Sequence, residues 1–389
     1  MKLISERSGK IVHTLRGYDA FVPAKLPPDP PVIIDEEMLK LLSDADNKLG
    51  RLDGVTQIIP NPELFVAMYV KKEAVLSAQI EGTQASLADV LNGASDNDIH
   101  DYSPDGVKEV VNYVQAMDWG LQRLRSFPLS LRLIRDIHAV LLQNVRGAEK
   151  MPGEFRTTQN WIGPAGCTLN TAVFVPPEPV ALGDALSDLE NFFYYDKKYI
   201  PPLIKIALIH AQFETIHPFL DGNGRIGRLL ITFWLCQQKI LSQPLLYLSY
   251  YFKTNRSEYY DLLMKVRLEG DWESWIKFFL RGIAVVSDEA AESAKAIIAL
   301  QKQCMDLLSA HDRSNGNYTV LLSTLFKYPI ISKKDVARLL QVSPATAGNL
   351  VDTFCKLGIL YDDTPEKQRY KRYVFKEYFE ILRRGTDLN

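Results

Sequence analysis

Residues 217–228 carry the sequence feature that most constrains this chain. They read His-Pro-Phe-Leu-Asp-Gly-Asn-Gly-Arg-Ile-Gly-Arg. Apolar residues at three- and four-residue spacings predict one helix over 202–216 and a second helix that begins near Gly222–Asn223. The proline at position 218 disfavours helical geometry at His217, so the first helix should end there. We therefore expect a tight loop that leads directly into a helix start.

The start of the second helix has the chemistry of an anion site. The first turn of a helix presents backbone N–H groups and partial positive charge, and glycine lets a ligand approach closely. Arg225 and Arg228 are three residues apart, so they project from one side of the helix and fit a polyphosphate. A Mg²⁺ ion that is bound to phosphates commonly takes one carboxylate ligand from the protein, and Asp221 can supply it. His217 is an imidazole that can accept a proton near neutral pH.

The twelve residues fill every position of the signature His-Pro-Phe-x-Asp-Gly-Asn-Gly-Arg-x-x-Arg, and the chain thereby resembles the Fic family (filamentation induced by cyclic AMP). Most characterised members are protein adenylyltransferases, which move AMP from ATP to a hydroxyl side chain of a target protein. The resemblance implies that His217 is the general base and that Asp221 holds Mg²⁺. It also implies phosphate contacts from Gly222, Asn223 and Gly224 around the α- and β-phosphates, from Arg225 as a support, and from Arg228 at the γ-phosphate.

A second pattern ends the helix that is predicted over 62–81. It reads Ser77-Ala-Gln-Ile-Glu81-Gly82. Glu81 would lie in the last helical turn, where the helix dipole disfavours negative charge, and Gly82 is a suitable residue to end the helix. The pattern resembles the Fic inhibitory motif, Ser/Thr-x-x-x-Glu-Gly/Asn, in its class II position before the catalytic motif. The resemblance implies that Glu81 pairs with Arg228 and makes ATP bind unproductively; the alternative is a solvated Glu81.

Two further parts of a nucleotide-transfer site are predicted with open alternatives. The helix-poor stretch 152–177 predicts a short hairpin, and in Fic proteins such a flap pairs with the target segment as an added strand. An ordinary surface hairpin is the other interpretation. After the motif helix, Tyr251, Asn255 and Tyr259 are candidates to line an adenine pocket, or else ordinary core residues. His138 and His210 lie among apolar residues and are interpreted as packing histidines.

Composition narrows the class of protein. The chain has 389 residues, a net charge of −2 and 47% hydrophobic residues, which is ordinary for a globular protein and too neutral for a general nucleic-acid binder. Its four cysteines are far apart in sequence and support neither a zinc ribbon nor a redox pair. No apolar run is long enough to span a membrane, and the N-terminus lacks a signal-peptide core. We therefore expect a cytoplasmic protein without a membrane partner.

The C-terminal residues predict a winged helix-turn-helix domain. A helix over 331–340 is followed by Ser343-Pro344, which start a second helix that Gly358 ends, and two short strands follow. From His311 onward there are 13 Lys and Arg against 9 Asp and Glu, a net charge of +4. Asn349 is the one clear base-reading candidate on the second helix, and the cations cluster in the wing at Lys367, Arg369, Lys371 and Arg372. DNA binding is thus possible, and a protein-interaction or dimer surface is the alternative.

The predicted fold class is mainly α, with a Fic helical core, a short β-hairpin flap and a winged helix-turn-helix. Four segments are predicted: an N-terminal region with the inhibitory helix over 1–100, a catalytic core over 101–285, a connector helix over 286–312, and the winged helix over 313–389.

The expected function is that of an autoinhibited adenylyltransferase acting on a Ser, Thr or Tyr hydroxyl, with ATP as substrate and a homodimer as the expected assembly. Three alternatives stay open. Glu81 could serve the reverse reaction, AMP removal; the transferred group could be UMP or GMP; or the chain could be a nucleotide-sensing DNA-binding regulator.

Overall fold

A computed structural model of the protein describes residues 5–56, 59, 62–93, 105–164, 166–312, 315–367, 369–384 and 386. The chain divides into two compact units. The first comprises Met1–Gly50 and Asn112–Ser287, and the second comprises Arg51–Val111 and Asp288–Asn389. The four predicted segments do not coincide with these two units, and they stay a prediction about sequence domains.

The first unit is mainly helical. Its strands β1 (Gly9–His13) and β2 (Asp19–Pro23) pair antiparallel, with Gly9 opposite Pro23 and His13 opposite Asp19. Three helices have residues in both units: α1 (Glu36–Thr56), α4 (Asp105–Leu124) and α11 (Trp272–His311). The other helices of the first unit are α5 (Leu131–Leu141), α6 (Pro179–Phe193), α7 (Pro202–Ile216), α8 (Asn223–Gln237), α9 (Ser249–Thr254) and α10 (Arg256–Glu269).

Helix α7 is the centre of the first unit. It is mainly apolar and is buried from Leu203 to Ile216 apart from Lys205, as expected for a helix with no solvent-facing stripe. It packs against α6, α8, α10 and strand β2. This packing holds the end of α7 and the start of α8 in place, which is where residues 217–222 lie.

The second unit contains α2 (Pro62–Ile80) and α3 (Leu87–Gly93) together with the C-terminal elements. Ser86 and Asp89 form the capping box at the start of α3. The C-terminal elements are α12 (Gly316–Lys327), β3 (Ile330–Ile331), α13 (Lys333–Leu340), α14 (Pro344–Lys356), β4 (Tyr361–Asp362), β5 (Tyr373–Val374) and α15 (Lys376–Arg383). The three short strands form one antiparallel sheet with β5 in the middle.

Helix α2 packs against α12 and α15 within the second unit. Aromatic rings of these C-terminal elements fill the interior there: Phe326 and Tyr378 meet edge to face with 4.8 Å between ring centres, and the Tyr378 hydroxyl donates to the Phe326 carbonyl. The buried face of α2 includes Phe65, Met68 and Tyr69. The helix that carries the predicted inhibitory pattern thus shares a core with the C-terminal elements.

Three local features were not evident from the sequence. Residues 9–23 form a hairpin, and Phe21 stabilises it by donating its backbone N–H to the Val175 carbonyl. Residues 52–54, which include a glycine, lie in the last part of α1, and the connector helix predicted over 286–312 is the C-terminal part of a helix that begins at Trp272. Tertiary packing extends these helices beyond what their glycines and polar residues predict. Among the described residues, no helix combines the length and the apolarity that a membrane crossing requires.

Candidate active site

The motif forms a short loop between two helices, as the sequence predicts. Helix α7 ends at His217, which adopts the left-handed conformation with φ 50° and ψ 61° and donates its N–H to the Phe213 carbonyl. Helix α8 starts at Asn223, after Gly222 at φ 78°. The left-handed geometry explains the glycine at position 222, because residues with a Cβ rarely adopt it.

Asn223 fixes the loop through its own side chain. Its Oδ1 accepts the N–H of Phe219, and its Nδ2 donates to the Phe219 carbonyl, both at 2.8 Å. This reciprocal pair closes the loop onto the first turn of α8. The side chain of Asn223 therefore shapes the anion site, while Gly222 and Gly224 line the helix start with backbone alone.

Asp221 lies at the mouth of the loop. Its Oδ1 accepts the Gly222 N–H at 2.5 Å and lies 3.3 Å from Nη2 of Arg225. Its Oδ2 accepts no hydrogen bond from the described residues, and the side chain is 35% exposed. A Cβ on Gly147 would lie 2.8 Å from Oδ2. The glycine at position 147 thus leaves space beside this oxygen.

These features fit a Mg²⁺ ion that is carried mainly by phosphates. One accessible carboxylate oxygen is the usual protein share of such a site, since Mg²⁺ takes its other ligands from water and substrate. Within the described part of the chain, no group of three or more His, Cys, Asp or Glu side chains could hold a metal by itself. Asp221 stays the predicted ligand of the ion.

Arg225 and Arg228 are both buried, at 1% and 3% exposure. Burial and, to a smaller extent, the charge of Arg225 lower the pKa of His138 to about 4. Burial likewise lowers the pKa of His210 to about 3, with a smaller contribution from Arg228. Two buried guanidinium groups thus lie beside two neutral histidines at this helix start, and the Asp221 carboxylate is 3.3 Å from Arg225.

The His217 side chain is partly exposed. Its Nδ1 lies 3.3 Å from the Glu214 carbonyl and 3.9 Å from Glu214 Oε2. A proton on Nδ1 would be donated to the carbonyl, which makes Nε2 the basic nitrogen. Glu214 is itself packed against α8, since a Cβ on Gly227 would overlap its Oε1.

Sequence reasoning missed three residues around this loop. His138 stacks on Phe219 with ring centres 3.7 Å apart, donates from Nε2 to the Asp221 carbonyl and accepts the Gly153 N–H at Nδ1. Arg156 and Asn160 both donate to the His217 carbonyl. His138 was interpreted only as packing, and no spacing rule connects residues 156 and 160 with 217. The single visible signal was an arginine inside a helix-poor stretch.

The three adenine-pocket candidates differ in position. Tyr259 is 1% exposed, and its hydroxyl lies 2.9 Å from His210 Nε2. Asn255 donates from Nδ2 to the Tyr251 carbonyl, and Tyr251 is half-buried against Phe278. Tyr259 is thus part of the core, and the lining of a base pocket by these residues stays a prediction.

The predicted inhibitory pattern lies at the end of α2. Ser77 is fully buried. Glu81 directly follows the last residue of the helix and is exposed, and Gly82 adopts φ 91° as the residue that ends the helix. Thr83 donates to Glu109 at 2.7 Å. Glu81 belongs to the second unit and Arg228 to the first, so their pairing stays a prediction.

The predicted flap lies in the first unit. Ile162 and Phe174 form an antiparallel bridge. A groove of about 390 Å³ lies beside it and includes Tyr18 and Phe21 of the β1–β2 hairpin and Val173 of the flap. Trp161 and Val173 are exposed.

Comparison with known proteins identifies two domains within the chain. The model described as "Fic/DOC family" matches residues 128–235, and the model described as "Fic/DOC family N-terminal" matches residues 39–122. Residues 128–235 are a Fic domain. The Fic domain contains the whole motif loop and all of α5–α7, together with most of α8. The predicted resemblance to the Fic family is thereby confirmed for residues 39–122 and 128–235, and the mainly helical fold class is confirmed as well.

Relatives with assigned names are similar over part of their length. The chain is 30% identical over 216 residues to "Protein adenylyltransferase Fic" of Drosophila grimshawi, covering 54% of this chain and 41% of that protein. It is 31% identical over 151 residues to the protein of the same name from Culex quinquefasciatus, covering 39% and 27%. The chain thus spans less than half the length of these relatives.

A solved structure of a Fic family protein from Desulfovibrio desulfuricans G20 has the same fold. It is 19% identical, with a TM-score of 0.58, and the match covers 89% of this chain and 98% of that one. At this identity the likeness concerns the fold alone.

Proposed function

We propose that this protein is an autoinhibited protein adenylyltransferase, which transfers AMP from ATP to a Ser, Thr or Tyr hydroxyl of a target protein. The observation that carries the proposal is the loop itself. It places His217, one accessible carboxylate oxygen of Asp221 and the open N-terminus of α8 within twelve residues, over two buried arginines. The names of the relatives support adenylyl transfer as the reaction.

In the proposed reaction the target hydroxyl oxygen attacks the α-phosphorus of ATP. The hydroxyl proton passes to Nε2 of His217, the bond between the α-phosphorus and its bridging oxygen breaks, and pyrophosphate leaves. The first backbone N–H groups of α8 would stabilise the charge that develops on the phosphates, with Arg225 and Arg228 behind them. Bound at Asp221 Oδ2, Mg²⁺ would offset phosphate charge.

The flap would present the target hydroxyl. An extended target segment could pair beside the Ile162–Phe174 bridge through backbone hydrogen bonds, which require little particular sequence. The neighbouring groove could take one side chain of that segment.

Autoinhibition is part of the proposal. Glu81 would form an ion pair with Arg228, and Arg228 could then not bind the γ-phosphate of ATP. Support comes from the exposed position of Glu81 at the end of α2, directly before a left-handed glycine. Removal of AMP with Glu81 as the base for water remains the alternative use of this residue.

The deciding experiment is label transfer in cell lysate from ATP labelled at the α-phosphate, with γ-labelled ATP in parallel. We would compare wild type, Glu81→Gly and the double variant Glu81→Gly/His217→Ala. We expect α-label only, strongest in Glu81→Gly and reduced about 10²–10⁴-fold in the double variant, because the general base is lost.

Three results would oppose the proposal. Equal labelling by wild type and Glu81→Gly would refute autoinhibition. Label from the γ-phosphate would indicate a kinase-like transfer, and absence of label in all variants would favour a nucleotide sensor or a nucleotide other than ATP.

We further infer that the C-terminal elements are a winged helix-turn-helix. Their order, with one helix, a strand, two helices and two strands, and the antiparallel sheet with β5 in the middle support this. The cations favour a protein partner over DNA, because Lys333, Lys371 and Arg372 form ion pairs with Asp352, Asp362 and Asp363. A second copy of the chain is one such partner.

A further inference from the structure

Two side chains at the base of the flap bind the backbone on both sides of His217. Arg156 donates from Nε to the His217 carbonyl at 3.0 Å and from Nη2 to the Ile216 carbonyl at 3.4 Å, and its own N–H donates to the Pro218 carbonyl at 2.9 Å. Asn160 donates from Nδ2 to the carbonyls of His217 and Phe219 at 3.0 and 2.9 Å. Four consecutive carbonyls are thereby bonded by two residues.

The conformation of His217 requires such support. A residue with a side chain in the left-handed region costs roughly 1–3 kcal/mol and persists only where its surroundings hold it. The His217 carbonyl receives two of the donors just described. Because the imidazole is attached to this residue, the same two donors set the direction of its ring.

Arg156 is suited to this task by its fork of donors. It is 2% exposed, and it forms no ion pair with the described residues. Its remaining donors reach the carbonyls of Pro177 and Thr158. Burial lowers the pKa of Arg156 to about 10, so it stays charged at neutral pH. A lysine would keep the charge but carries all its donors on one nitrogen, so it could not reach the separated carbonyls that the three guanidinium nitrogens reach.

Asn160 connects this support to the flap. It lies two residues before Ile162, whose bridge to Phe174 is the first pairing of the flap. Both acceptors of its Nδ2 are carbonyls, so the position demands a side chain that donates. An aspartate of the same size would place negative oxygen against both carbonyls.

We propose that Arg156 and Asn160 are positioning residues that hold the general base in register with the flap. One short segment, residues 156–162, then fixes the position of the imidazole that accepts the proton. It also fixes the strand edge of the flap, where the target hydroxyl arrives. The inference rests on the proposed function. It adds that substitutions at these two positions impair turnover while nucleotide binding persists, since Asn223 bonds both backbone groups of Phe219 and so keeps the phosphate site in shape when the bond from Asn160 to the same carbonyl is lost.

The test uses the full-length Glu81→Gly protein as parent and adds Arg156→Lys or Asn160→Asp. We expect kcat for AMP transfer to fall about 10–100-fold, since a displacement near 1 Å at a catalytic group can cost this much. The dissociation constant for α,β-methylene ATP should stay within about twofold of the parent value. Asn160→Ser serves as a second variant if Asn160→Asp does not fold.

Matched controls make the same chemical changes at exposed positions of the same unit. Arg132→Lys on α5 and Asn191→Asp on α6 should keep the parent kcat, because both residues are exposed. Circular dichroism and thermal melting establish that each variant is folded. An unchanged kcat in Arg156→Lys and Asn160→Asp would overturn the inference, and so would an equal loss of analogue binding, which would mean general damage.

Failure of the proposed function can be distinguished from failure of the positioning inference. If the Glu81→Gly parent transfers no AMP, the proposed function fails. Positioning is then tested by the ring ¹H and ¹⁵N resonances of His217. Resonances that shift in Arg156→Lys and Asn160→Asp, but not in the two controls, would support the inference, and unshifted resonances would refute it.

Discussion

Positively charged side chains are buried in one part of the protein and exposed in another. The first part is the Fic domain with its neighbouring helix α10, and the second part is the C-terminal region 315–384. Around the motif loop, four arginines are at most 4% exposed: Arg156, Arg225, Arg228 and Arg267. Arg156 and Arg267 donate to backbone carbonyls. In the C-terminal region, lysines and arginines are at the surface and pair with nearby carboxylates. Buried cations cost desolvation free energy, and surface pairs cost little and contribute little.

This difference separates a binding site from a solvated surface. Charge–charge interactions of buried guanidinium groups are screened less by solvent than those of exposed side chains. In the C-terminal region, Lys333, Lys371 and Arg372 are paired with carboxylates and are therefore less available to a duplex. We therefore expect polyphosphate affinity in the Fic domain and weak nucleic-acid affinity in the C-terminal region.

The largest predicted effect concerns the buried histidines of the Fic domain. Burial lowers the folded-state pKa of His138 to about 4 and that of His210 to about 3, from 6.5. Below pH 6.5 both histidines become protonated in the unfolded chain but stay neutral in the folded chain. Stability is thus fully present above pH 6.5 and falls as the pH drops towards 4. At pH 5 each histidine should cost about 2 kcal/mol of unfolding free energy.

Denaturant unfolding at pH 7 and pH 5 checks this, followed by tryptophan fluorescence. All five tryptophans, Trp119, Trp161, Trp234, Trp272 and Trp275, lie in the first unit. His138→Asn and His210→Asn should each reduce the loss between the two pH values, while His13→Asn, at an exposed position, should not. Equal slopes in all four proteins would contradict the assignment of neutral buried histidines.

The second predicted effect concerns close packing beneath the motif helix. A Cβ on Gly227 would overlap Glu214 Oε1, whereas a Cβ on Gly348 in α14 would meet nothing within 4 Å. Gly227→Ala should therefore destabilise the protein by about 1–3 kcal/mol, since Glu214 must move. Gly348→Ala should be neutral or stabilising by up to about 1 kcal/mol, because alanine favours the helix. Thermal melting by circular dichroism measures both.

If Gly227→Ala melts like wild type, Glu214 is not held against α8. The contrast between a tightly packed Fic domain and an open C-terminal surface would then lose one of its supports. A strongly destabilised Gly348→Ala would weaken the contrast from the other side.

Sequence alone predicted the features that depend on neighbouring residues. The end of α7 at His217, the start of α8 at Asn223, and the start of α14 at Ser343-Pro344 all follow from local rules. The family signature pointed to the same loop. These predictions succeeded because glycine, proline and capping residues act within a few positions of themselves.

The support of the loop could not be predicted in the same way. Arg156 and Asn160 lie 61 and 57 residues before His217 in the chain, and His138 lies 83 residues before Asp221. Such contacts arise only when α5, the flap base and α7 have packed together. The β1–β2 hairpin was missed for a similar reason, since one of its backbone groups bonds residue 175.

The smallest predicted effect concerns the surface ion pairs of the C-terminal region. Lys333 and Asp352 lie 2.6 Å apart, with side chains 40% and 55% exposed. Asp352→Asn should change the unfolding free energy by less than about 1 kcal/mol, because exposed pairs contribute little. Wild type should bind a labelled DNA duplex only in the non-specific range, at dissociation constants of about 10⁻⁴–10⁻⁶ M near physiological salt.

Fluorescence anisotropy across a salt series makes this a direct test of the comparison. Freeing Lys333 should steepen the dependence of log affinity on log salt by about 0.9 if it then meets one phosphate. The wild-type protein could instead bind DNA far more tightly than the non-specific range, with a steep salt dependence. That result would mean that these cations break their ion pairs with the carboxylates and bind DNA phosphates. The C-terminal region would then be a charged binding site like the Fic domain, and the preference for a protein partner would be refuted.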